Sequence, residues 1–151
     1  MKTNAYPWRF FKSARLVQVL IENSDDLAHL RDLDQKFWTV LSAPTVGVRF
    51  DARTLELLDA DHDGRVRAPE VLAAVEWLAP RLASLDILFE PWTGTLPLAA
   101  INAATPEGQK LAAALKRIAA QNGRQDAADV TLKDVTETEK EFAGTRFNGD
   151  G

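Results

Sequence analysis

Asp59, Asp61 and Asp63 stand at alternate positions in the stretch LDADHDGRVRAPE, followed by Gly64 and, further on, by Glu70. Carboxylates crowded this closely raise one another's cost of ionisation, and a cation among them reverses the sign of that cost. A hard divalent ion needs six to eight oxygens at about 2.3–2.6 Å, and a twelve-residue loop can supply them in order. Counting Asp59 as first, Asp61 is third and Asp63 fifth, each offering a side-chain oxygen. Gly64, sixth, falls where a sharp turn needs positive φ. Arg65, seventh, contributes its backbone carbonyl and turns its guanidinium to solvent. Val66, eighth, has the branched side chain for a short β bridge. Arg67, ninth, cannot ligate, which leaves that vertex to water. Glu70, twelfth, can give both oxygens, a grip that suits Ca²⁺ better than the smaller, strictly octahedral Mg²⁺.

These residues complete the pattern D-x-D-x-D-G-x₅-E, and here the sequence resembles the EF-hand family. The resemblance implies a helix-loop-helix with Ca²⁺ held by Asp59, Asp61, Asp63, the Arg65 carbonyl and Glu70. It also implies a partner loop paired through the eighth position. Residues 123–134, GRQDAADVTLKD, place Val130 eighth and Asp134 twelfth, with Gly123, Gln125 and Ala127 where acids would stand. They read either as a metal-free partner joined by a Val66–Val130 bridge or as an ordinary loop. The final RFNGDG looks like the start of a third loop, with Asn148 third, Asp150 fifth and Gly151 sixth, but Arg146 is first and no second half follows. YPWRFF, LDQKFW and FAGTRFNGDG are similar to the start of larger, uncharacterised bacterial EF-hand proteins, so the chain is expected to be the N-terminal part of a longer one.

Helices must flank such a loop. Asp51 can cap one running to about Leu58, and another should start near Pro69 and reach about Leu85. Leu55 and Leu58 on one side, and Val71, Ala74, Val75 and Leu78 on the other, recur at helical spacing. Upstream, WRFF and LVQVLIE read as a small β-hairpin. Leu27, Leu30, Leu33, Phe37 and Leu41 predict an amphipathic helix ending near Ser42, before Pro44. Residues 90–108, with three prolines and two glycines, predict an irregular connector with one short helical turn. Thr105-Pro106-Glu107 opens a helix closing at Asn122-Gly123. A short extended piece around Val130 and a helix over 133–143 follow. The expected fold is therefore mainly α: an EF-hand-like helix-loop-helix pair with additional helices and a small N-terminal hairpin. One domain covers 1–151, divided into hairpin plus helix (1–48), EF-hand (49–85), connector (86–105), degenerate partner hand (106–145) and truncated loop (146–151).

The 151 residues are 46% hydrophobic, enough for a real core, and contain no cysteine. Arg9, Lys12, Arg15 and Gln18 interrupt the first apolar run, so no signal peptide is expected, and no apolar stretch approaches membrane-spanning length. A soluble, cytoplasmic chain is expected. A net charge of −4 argues against nucleic-acid binding, which depends on clustered Lys and Arg. His62, fourth in the loop, should face outward, and His29 should pack or meet solvent. Asp25 with Asp26, and Glu137 with Glu139, read as helix-start and solvated acids. Trp8, Trp38, Trp77 and Trp92 read as core or interface anchors. No nucleophile with a neighbouring base is visible, so no enzymatic activity is expected. The leading function is a structural or modestly regulatory calcium-binding module, its partners the ion and another domain or protein. The alternatives are a protein-interaction domain with a vestigial metal loop and a non-catalytic fragment of a larger enzyme.

Overall fold

A computed structural model describes residues 6–13, 16–37 and 42–136. The chain divides into two compact units, Met1–Ala79 and Pro80–Gly151.

In the first unit, strands β1 (Arg9–Ser13) and β2 (Leu16–Leu20) form the expected antiparallel hairpin, with Phe10 opposite Val19. Asn23 then caps α1 (Ser24–Ala28), its Oδ1 accepting the Asp26 N–H at 2.9 Å. Asp26 is 1% exposed. It binds the hairpin to this helix: its carboxylate accepts from Tyr6 Oη (2.7 Å), Arg9 (2.8 Å) and the Glu22 N–H (2.8 Å). Burial pushes that carboxyl up, but the three donors outweigh it and hold it below the usual carboxylate range.

The long helix expected through Ser42 does not form. The chain leaves α-geometry at His29 and continues as 3₁₀ turns at Leu30–Asp32 and Gln35–Phe37, while Leu41 lies outside the described residues. Three-residue spacing satisfies a 3₁₀ turn as well as a helix, so Leu30 and Leu33 are still buried. Asp34 helps interrupt the helix, because its Oδ1 accepts the Lys36 N–H at 3.0 Å.

Strand β3 (Ser42–Pro44) precedes α2 (Ala52–Leu58), which Asp51 caps as expected through the Thr54 N–H at 2.7 Å. Strand β4 (Arg65–Arg67) runs straight into α3 (Ala68–Leu78), shorter than the helix to Leu85 read from the sequence. β3 and β4 are antiparallel, with Ala43 opposite Val66. Leu30, Leu33, Leu55 and Val66 form this unit's core.

In the second unit, the connector contains the expected short helical turn, a 3₁₀ turn at Leu98–Ala100, and also a strand not expected there, β5 (Thr95–Pro97). Thr105 caps α4 (Pro106–Gln121), its Oγ1 accepting the Gly108 N–H at 3.1 Å. β6 (Asp129–Thr131) pairs antiparallel with β5, Val130 opposite Leu96, and a further helix runs from 132, described as far as 136. Leu82, Leu85, Ile101, Leu115, Ala119 and Val130 are buried.

Among the described residues, three two-stranded sheets make the fold mixed α/β, which corrects the expectation of a mainly α chain. Residues 123–134 read either as a partner loop bridged from Val66 to Val130 or as an ordinary loop; in the structure Val66 pairs with Ala43 and Val130 with Leu96, each within its own unit. In both cases the strand used lies nearer in sequence, and a shorter closure costs less entropy. Among the described residues, no helix is long and apolar enough to cross a membrane.

Candidate metal centre

The segment 59–70 runs from the end of α2, through β4, into the first turn of α3. Its bend is built by the aspartates' own backbone contacts. Asp59 caps α2 at its C-terminus and is 6% exposed. Its carboxylate accepts the Asp63 N–H at 3.1 Å and the Gly64 N–H at 2.9 Å. Asp61 Oδ1 also accepts from Asp63 N, at 3.2 Å, and Asp63 Oδ1 accepts the Arg65 N–H at 3.0 Å. These short-range bonds turn successive side chains inward.

Gly64 has φ of +81°, as its position demanded. The requirement is conformational rather than steric, since a Cβ there would meet nothing nearer than Thr45 Oγ1 at 3.9 Å. His62 is the other left-handed residue of the bend, with φ of +57°, and it is exposed as expected.

Asp59, Asp61 and Asp63 each present a carboxylate oxygen within 4.8 Å of the others. Oxygens that share one ion at about 2.3–2.6 Å can stand no more than roughly 5 Å apart, so these three fit a common cation. The donor set is all oxygen, which suits a hard ion rather than a thiophilic one.

Glu70 is placed differently. Its Oε1 accepts the Ala60 N–H at 2.9 Å and its Oε2 the Arg67 N–H at 2.7 Å, so it bridges the loop's second and ninth residues. It also lines a cleft of about 490 Å³ between α2 and α3, with Leu57, Leu58, Ala74 and Trp77. Arg65 lies in β4 and is exposed, as expected, and its Nε donates to Ser42 Oγ at 2.6 Å.

Arg67 has a part that sequence reasoning missed. Its guanidinium pairs with Asp63 Oδ2, within the candidate site. The hydrogen bond to Asp63, and then the charges of Asp63, Asp61 and Glu70, raise its pKa above the ordinary arginine value. The spacing of four residues between Asp63 and Arg67 was the available signal.

Of the other residues singled out by type, His29 and Trp8 serve structure. His29 stacks on Tyr6, ring centroids 4.2 Å apart, and Trp8 packs edge-on against the same ring. Trp77 and Trp92 are exposed. Trp38, Glu137, Glu139 and the 146–151 segment lie outside the described residues. Comparison of the chain with protein-family models, with curated proteins and with solved structures found no match.

Proposed function

We propose that residues 59–70 bind a divalent cation, Ca²⁺, as an EF-hand-like loop, and that the protein is a calcium-binding module of structural or modestly regulatory role. The observation that carries this reading is the convergence of the Asp59, Asp61 and Asp63 oxygens within 4.8 Å around a left-handed Gly64. Asp59, Asp61, Asp63, the Arg65 carbonyl and Glu70 would hold the ion. It would supply the positive charge that offsets their mutual repulsion. A flexible loop with a bidentate glutamate at its end favours Ca²⁺ over Mg²⁺.

Position supports a structural role. Glu70 stands in the first turn of α3 and also holds the Ala60 N–H just beyond α2, so an ion at the loop joins groups flanking both helices. Among the described residues, none that lines the cleft beside it is a methionine, the adaptable side chain of surfaces that re-pack on opening.

The test is calorimetric titration of metal-stripped protein with Ca²⁺ and with Mg²⁺, repeated on Glu70→Gln. Calcium should bind the native chain more tightly than magnesium, and the substitution should weaken calcium by about tenfold or more. Absence of binding by the native chain, or equal binding by the variant, would sink the proposal.

A further inference from the structure

Residues 123–134 repeat the scaffold of 59–70 without acids at the first, third and fifth positions. In each segment the seventh to ninth residues form a strand, Arg65–Arg67 or Asp129–Thr131, and a helix starts at the tenth. In each, the twelfth residue's carboxylate accepts the ninth residue's N–H: Glu70 from Arg67 at 2.7 Å, Asp134 from Thr131 at 2.9 Å. The first, third and fifth positions of the second segment are Gly123, Gln125 and Ala127, which offer no carboxylate to an ion from solution.

We propose that Arg124 is the built-in cation of this second loop, holding it closed where a metal ion would otherwise be needed. Its two terminal nitrogens reach two different carboxylates, Nη1 to Asp134 Oδ2 at 2.5 Å and Nη2 to Asp129 Oδ1 at 2.5 Å. A planar guanidinium presents its terminal nitrogens in a fixed fork, so each can serve a different carboxylate. One carboxylate belongs to β6 and the other to the helix after it, so the arginine fastens both elements to the end of α4.

The backbone aims the side chain. Gly123 takes φ of +78° at the end of α4, and the Arg124 N–H donates back to the Ala119 carbonyl at 2.8 Å. Asp134 is built to receive it: the side chain is 8% exposed and also accepts from Thr131 Oγ1 (2.8 Å) and Asn122 Nδ2 (3.3 Å). The Thr131 backbone and hydroxyl bonds, with Asn122 and Arg124 behind them, lower its carboxyl pKa to about 2, so it stays anionic opposite the arginine. The inference is independent of calcium binding at 59–70.

The experiment is amide hydrogen exchange across β5 and β6 in the full chain, with and without chelator, for the native protein, Arg124→Met, Arg124→Lys and the exposed control Arg117→Met. Native protection at Leu96 and Val130 should be indifferent to chelator. Arg124→Met should speed exchange there by about tenfold or more, Arg124→Lys by less, and the control should leave it unchanged. Loss of native protection in chelator, or native-like protection in Arg124→Met, would overturn the assignment. If Arg124→Met does not fold, Asp129→Asn decides, because it releases one arm of the arginine: faster exchange supports the role and unchanged exchange refutes it.

Discussion

Replacing Arg67 by glutamine should tighten calcium binding, an effect opposite to the usual result of altering a binding loop. The Arg67 guanidinium pairs with Asp63, one of the three converging aspartates. An arriving ion must therefore share Asp63 with a positive group already there and stay close to that group once bound. Contact between Arg67 and Asp63 puts the two positive charges roughly 6 Å apart. At that separation a doubly and a singly charged group in a water-like dielectric repel enough to change affinity about tenfold, and physiological salt screening reduces this to about threefold. The pair is half-exposed, so the water-like dielectric is appropriate. Glutamine removes the charge but leaves the backbone N–H that Glu70 accepts, so the start of α3 should persist. Competition against a chromophoric chelator at low and high salt measures the effect, with circular dichroism to check helix content. The variant should bind more tightly, with the advantage shrinking as salt rises. Equal or weaker binding by a folded variant would refute this electrostatic reasoning.

Two further outcomes probe the fold. Gly108→Ala, in the first turn of α4, should be favourable by about 1 kcal/mol on helix propensity alone. Because its Cβ would lie 1.9 Å from the Asn102 carbonyl oxygen, we expect instead a loss of at least about 1–3 kcal/mol in thermal or urea denaturation. The chain's single tyrosine, Tyr6, donates to Asp26, and that bond, with burial and the nearby aspartates, raises its pKa to about 12 from an ordinary 10.0. Its contribution to stability is thus complete below about pH 10 and lost as pH rises through about 12. Ultraviolet titration of the phenol should give a midpoint near 12, falling toward 10 in Asp26→Asn; a native midpoint near 10 would contradict the contact.

The features legible in the sequence were those fixed by neighbours a few residues away. Asp51 and Thr105 cap helices through N–H groups three residues on, and Gly64 owes its conformation to the bend around it. Asp59, Asp61 and Asp63 converge because side chains in such a bend bond to its own backbone. Apart from the Arg67–Asp63 pair, most of what was missed depends on distant partners. Ser42–Pro44 and Thr95–Pro97 are three-residue strands ending in proline, too short to show alternation, and only β4 and β6 make them strands. Asp26 read as an ordinary helix-start acid because its partners Tyr6 and Arg9 lie twenty and seventeen residues upstream. The leucine pattern from 27 to 41 identified Leu30 and Leu33 as buried but not the turns that bury them, since a three-residue period does not separate an α-helix from 3₁₀ turns.

The most direct test is a crystal structure grown with ample calcium, with anomalous scattering recorded to locate the ion. One strong peak should lie about 2.3–2.6 Å from oxygens of Asp59, Asp61 and Asp63, the Arg65 carbonyl and both oxygens of Glu70. Aspartate side chains turned outward, Glu70 still bound to the Ala60 and Arg67 N–H groups, and no peak between them would contradict calcium binding at 59–70.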